Sequence, residues 1–218
     1  MSDNIFHEVD EEVRREQLKQ LWNRYGNFLI AAAVVVVLGI AAWRGYQWWE
    51  ARKSAQAGAA FEAAVELADQ SKNAEAQAAF AKIAADAPAN YRILARFREA
   101  AALGKTDAKA AVKAYDDLAG DSSLGGEWQD LARLRAGLLL VDSGTYEEVR
   151  QRLEPLASAG RTFRHTAREV LAVAAFHAGD SAATKHWIDL IITDAETPAS
   201  TRDRVEMLRA LTRADAKS

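Results

Sequence analysis

The sequence predicts an all-α protein, with one N-terminal membrane-spanning helix followed by a stack of helical hairpins. Three observations carry this. A run of 19 uncharged residues, from Tyr25 to Trp43, lies near the start. The remainder is a succession of segments with apolar residues at three- and four-residue spacing, separated by Gly, Pro and helix-capping residues. No stretch alternates apolar and polar residues with period two between turn signals, so no sheet is expected.

The apolar run reads Phe28, Leu29, Ile30, three alanines, Val34 to Val37, Leu38, Gly39, Ile40, Ala41, Ala42 and Trp43. As a helix its uncharged residues rise roughly 28 Å, close to the ~30 Å thickness of bilayer hydrocarbon. Only a helix satisfies its own backbone in lipid, so the β-branched valines do not argue for a strand. Trp22 and Tyr25 precede the run, and Trp43, Tyr46, Trp48 and Trp49 close it. Amphipathic rings favour the headgroup zone, which makes these six the expected membrane-interface residues, with Arg24 and Arg44 snorkelling outward. A cleaved signal peptide would have a short basic lead and small residues before the cut; here the lead is long and acidic and the far end aromatic. A buried core helix would not need aromatic and arginine residues at both edges.

These features divide the chain into a tail over 1–24, a spanning helix over 25–46, a helical repeat domain over 47–214 and a disordered C-terminus over 215–218. Basic residues near the span number four before it (Arg14, Arg15, Lys19, Arg24) and three after it (Arg44, Arg52, Lys53). That bias favours a cytoplasmic N-terminus. From Arg44 to Ser218 there are 175 residues of formal charge −1, enough for a real core and without the basic surface that nucleic acid requires. There is no cysteine, hence no disulfide framework, thiol catalysis or zinc–cysteine site.

Met1 to Val9 are polar and patternless and read as disordered. Val13, Gln17, Leu18, Leu21 and Trp22 then give an amphipathic lead into the span. Helix signals continue past the span to about Asp69, with Gly45 and Gly58 as points of loosening. Asn73 is placed to cap a helix bearing Ala76, Phe80 and Ile83 that stops before Pro88. Asn90 opens a helix with Tyr91, Leu94, Phe97 and Leu103 that ends near Gly104. Thr106 or Asp107 caps the next, with Ala111, Tyr115 and Leu118, ending at Gly120. Glu127 to Val141 follows, around Trp128, Leu131, Leu134 and Leu138. Thr145 starts a helix with Val149, Leu153 and Leu156 that reaches Gly160, and Arg161 to Ala178 gives another, ending at Gly179. Asp180 or Ser181 caps a helix with Trp187, Ile188 and Ile191 that stops before Pro198, and Thr201 to Arg213 is the last.

Alternate helices repeat. Ala76 and Phe80 align with Ala111 and Tyr115, with Val149 and Leu153, and with Thr184 and Ile188, at intervals of 35, 38 and 35 residues. The period is close to the ~34 residues of a tetratricopeptide array. A small residue lets the paired helix approach, and a large one four positions on fills the gap. The tryptophan–leucine–glycine signature of first helices is missing, so these are degenerate tetratricopeptide-like hairpins.

The acidic lead, the apolar span, Trp43-Arg44-Gly45-Tyr46 with Trp48, and a small-residue helix carrying Ala55, Ala59, Phe61, Ala64 and Val65 follow one another in this chain. Together with Gly179-Asp180 leading into Trp187, they resemble the ancillary SecYEG translocon subunit family, the YfgM-like proteins. The resemblance implies a single-pass protein of the bacterial inner membrane with its repeats in the periplasm. It implies the SecYEG translocon, a periplasmic folding factor and unfolded client proteins as partners beside the lipid bilayer, and it supplies no catalytic residues. A cell-division or envelope-assembly scaffold with tetratricopeptide repeats is the alternative.

No chemistry is expected of the side chains. His165 and His177 lie twelve apart and do not share a helix face, while His177 and His186 flank a turn without a carboxylate at ligand spacing. Asp180 and Ser181 read as caps rather than as parts of a hydrolase triad with His186. Leu124-Gly125-Gly126 is a turn with no phosphate-binding lysine after it. Neither an enzyme, a metal nor another cofactor is expected. The features left are surfaces: Arg92, Arg96 and Arg98 on one helix, and Arg161, Arg164 and Arg168 on another. Arg92, Arg96, Arg164 and Arg168 are the expected partner surface, since repeat arrays bind along one side of the stack.

Overall fold

Two units make up the chain, Met1–Gln56 and Ala57–Ser218. The computed structural model describes residues 3–215. Among these there are nine α-helices and one 3₁₀ turn, and no strand. The expected all-α class is what the chain adopts.

The described residues of the first unit lie within α1 (Asp3–Asp69), whose last turns also open the second. Disorder was expected over 1–9, yet α1 begins at Asp3. Once a helix is nucleated downstream, each added residue gains a hydrogen bond at little further cost. Neither Gly45 nor Gly58 interrupts it. The apolar run is bare: Phe28, Val35, Val37, Leu38 and Ile40 are each more than half exposed. A core helix would be mostly covered, and this stretch is not. It is the one helix among the described residues long and apolar enough to cross a membrane.

The second unit continues with α2 (Asn73–Asp86), α3 (Ala89–Leu103), α4 (Ala108–Gly120), α5 (Gly126–Leu140), α6 (Tyr146–Leu153), a 3₁₀ turn (Glu154–Leu156), α7 (Arg164–His177), α8 (Ser181–Thr193) and α9 (Ala199–Asp215). Consecutive helices pack as neighbours, and α7 also touches α5 and α9. Three apolar clusters follow one another along the chain. The end of α1 packs with α2 and α3; α3 with α4 and α5; and α5 through α9 with one another.

The aligned positions share one environment. Ala76, Ala111, Val149 and Thr184 are each the fourth residue of their helix, and all are at most 1 % exposed. Phe80, Tyr115, Leu153 and Ile188, four positions on, are buried as well, as are Ile83, Leu118, Leu156 and Ile191 after them. Large rings join successive helices: Phe80 meets Phe61 of α1 at 5.4 Å, and Phe97 of α3 meets Tyr115 at 6.0 Å and Trp128 at 5.5 Å.

Several boundaries differ from expectation for local reasons. Asn73 is the first residue of α2 rather than its cap, and α3 opens at Ala89, one residue before Asn90, with Pro88 in the cap position. Asp107, Thr145 and Asp180 do cap, their side chains accepting from the backbone N–H of Ala110, Glu148 and Ala183. α6 stops at Leu153 instead of running on to Gly160, because Pro155 has no N–H to donate and initiates the 3₁₀ turn. α7 accordingly starts at Arg164 rather than Arg161. It ends where Gly179, at φ +71°, lets Asp180 N–H return to Ala175 O at 3.0 Å. α8 stops at Thr193, short of Pro198, where Asp194 Oδ1 accepts from Glu196 N–H at 3.0 Å and turns the chain. The expected C-terminal disorder over 215–218 falls outside the described residues beyond Asp215.

Candidate functional site

The six interface aromatics lie on α1 and are open. Trp22, Trp43, Tyr46 and Trp48 are about 60 % exposed, Tyr25 and Trp49 about half. Basic side chains lie over three of the rings. Lys53 Nζ is 3.7 Å from the Trp49 ring centroid, and the guanidinium carbons of Arg52 and Arg24 are 5.4 Å from Trp48 and 5.9 Å from Tyr25. Paired cation and ring cover both ends of the apolar run, which is the composition of a headgroup zone.

The arginines expected to form a partner surface divide. Arg168 is buried, 6 % exposed, and donates to Ala157 O at 2.8 Å, Asp194 Oδ2 at 2.8 Å and Leu190 O at 3.3 Å. Arg164 donates to the same Asp194 oxygen at 3.1 Å and pairs with Glu196. Together they hold the Asp194 carboxyl down at about 2. Thr197 completes this knot, its hydroxyl donating to Ile191 O at 2.8 Å and lying 3.2 Å from His165 Nδ1. Burial and the charges of Arg164 and Arg168 lower the His165 pKa against the pull of Asp194. Arg96 donates to Asp121 at 2.6 Å, and the Ser123 hydroxyl and Arg96 hold that carboxyl at about 2. Arg96, Arg164 and Arg168 therefore pair within the fold, with carboxylate partners in the loops after α4 and α8. Arg161 likewise reaches Asp130 at 3.2 Å.

Arg92 and Arg98 of α3 are exposed and meet no carboxylate among the described residues, and neither does Arg135 of α5. Arg135 was not singled out from sequence. The signal was present: Leu94 and Arg98 recur as Leu131 and Arg135 at a shift of 37 residues. Burial agrees with the shift, since Ala95 and Ala132 are both fully buried, and Phe97 and Leu134 both nearly so.

A cavity of about 510 Å³ lies among the start of α4, the end of α5 and α6, lined by Asp107, Lys109, Glu148 and Arg152 among others. Most of its polar groups are already engaged. Asp107 and Glu148 cap helices, and Arg152 is doubly bonded to Asp116 at 2.9 and 2.7 Å. No three His, Asp or Glu side chains gather at ion-holding positions among the described residues. His177 Nδ1 lies 3.3 Å from Val141 O, and His186 packs on Trp187 at 4.9 Å.

Residues 19–170 match the tetratricopeptide repeat-like domain family. The matched stretch starts before the apolar run and ends within α7, so the candidate span and the helices from α2 to α6 fall within one matched region. No curated protein and no solved structure matches the chain.

Proposed function

From a chain that belongs to the tetratricopeptide repeat-like domain family, and hence carries a protein-interaction module, we propose a membrane-anchored partner of the Sec translocon that assists periplasmic chaperones with newly translocated proteins. The protein sits in the bacterial inner membrane as a single-pass protein, its tail cytoplasmic and its repeats periplasmic. α1 and its aromatic flanks contact the bilayer and the SecYEG translocon. The helical surface contacts a periplasmic folding factor and unfolded clients. Tethering raises the effective concentration of the repeats beside emerging chains without any new contact.

The observation that carries this reading is the bare apolar length of α1, bounded by cation-covered rings, in the same family region as the hairpins. Such a segment is stable in lipid and not in water. Purification of the full chain from membranes in mild detergent is expected to recover SecYEG components and a periplasmic chaperone. A preparation containing neither overturns the translocon assignment. Enrichment at midcell instead of around the whole envelope favours the division or envelope-assembly scaffold.

A further inference from the structure

Odd-numbered helices of the second unit meet one another: Phe97 of α3 meets Trp128 of α5 at 5.5 Å, α5 meets α7, and α7 meets α9. Of these, α3 and α5 present the same pair of features. Leu94 and Arg98 are one helical turn apart on α3, and Arg135 and Leu138 are one turn apart on α5. The two leucines are 40 % and 39 % exposed, the most exposed large apolar side chains on α2 to α8 among the described residues.

The two arginines stand at equivalent positions on α3 and α5, 37 residues apart. Tyr115 of α4 donates its hydroxyl to Phe97 O of α3. Burial raises the pKa of this hydroxyl, and the charges of Arg135 and then Arg98 oppose the rise. Like Arg92 of α3, both are exposed and pair with no carboxylate among the described residues. Arg96, Arg133, Arg150, Arg152, Arg161, Arg164, Arg168 and Arg204 all hold carboxylates of their own chain. Two exposed cations at equivalent positions 37 residues apart, each one turn from an exposed leucine, complement a chain that alternates carboxylate and apolar side chains.

We propose that the α3–α5 face binds an acidic, leucine-bearing segment of a partner protein, with Arg98 and Arg135 taking its carboxylates and Leu94 and Leu138 its apolar side chains. The proposal rests on the interaction-module reading and names the partner chemistry of that module. α7 lacks the arginine: Val173 and Phe176 stand at the corresponding half-buried positions, so charge selection is confined to α3 and α5.

The test uses the full chain in detergent micelles and a short fluorescent peptide of alternating leucine and glutamate, beside its leucine–lysine counterpart. Anisotropy is expected to show binding of the glutamate peptide and at least about tenfold weaker binding of the lysine peptide. The double variant Arg98→Glu, Arg135→Glu, with unchanged helicity by circular dichroism, is expected to reverse the preference. Arg150→Glu, on α6 and away from this face, is expected to keep it. No binding of the glutamate peptide, equal binding of both peptides, a preference that survives the double reversal, or its loss in Arg150→Glu overturns the proposal. Recovery of SecYEG components by the double variant, together with any of those outcomes, assigns the failure to this face and not to the anchored role.

Discussion

At the scale of single residues, one carboxylate decides most. Asp194 accepts from two arginines and a backbone N–H, and its pKa falls from an ordinary 3.8 to about 2. A carboxyl held lower in the folded state than in the unfolded one contributes stability above its ordinary value, and that stability is lost as pH falls through the folded value. Asp194→Asn removes the contribution. Its melting temperature is expected to lie below that of the parent chain at neutral pH, and the gap to close as pH falls from 3.8 toward about 2. A gap that stays constant across this range contradicts the assignment; thermal unfolding followed by circular dichroism measures it. None of this pairing was legible in the sequence. Arg164 and Arg168 were visible as a cluster on one helix face, but the carboxylate that spends them lies across a helix, 30 and 26 residues away. Periodicity reports which face a residue occupies, not what that face meets.

At the scale of elements, the second helix of each hairpin was readable because its pattern survives. A small residue at the fourth position and a large one at the eighth are both buried in all four copies, so substitution there is restricted by packing. First helices were harder, since their common pattern is split between buried alanines and an exposed arginine, and neither alone marks a period. Glycine hides a further part of the contact. Gly137 of α5 faces Leu153 of α6 so closely that an added Cβ would lie 2.7 Å from two of its atoms, Cγ and Cδ2. Because Leu153 is fully buried, it has little room to withdraw. Overpacking of this kind costs about 1–3 kcal/mol, against a gain in helix propensity of at most about 1 kcal/mol. Gly137→Ala is therefore expected to destabilise the second unit by about 1–2 kcal/mol in denaturant titration. In a double-mutant cycle Leu153→Ala is expected to cost less in the Gly137→Ala background than in the parent. Additive losses would mean that the two helices do not press on each other at this point.

At the scale of the whole molecule, the proposed anchoring raises the question of which side of the membrane holds the tail and which the hairpins. The fold class was legible because its signals are long: a 19-residue uncharged run outweighs any local ambiguity, and four repeats reinforce one another. Sidedness rests on less, a difference of one basic charge between the two flanks of the run. The acidic residues of the tail add little to that balance, since retention follows Lys and Arg rather than net charge. The absence of cysteine makes the point testable, because any introduced thiol is the only one in the chain. Ser2→Cys places a thiol on the tail, and Ser158→Cys places one at an exposed position between α6 and α7. In cells whose outer membrane has been made permeable, a membrane-impermeant maleimide is expected to label Ser158→Cys at once and Ser2→Cys only after lysis. The reverse pattern would place the hairpins in the cytoplasm, removing the periplasmic chaperone from the possible partners while leaving the span intact. Labelling of both before lysis would mean that α1 does not cross the bilayer at all, and its bare apolar length would then have to be covered by protein.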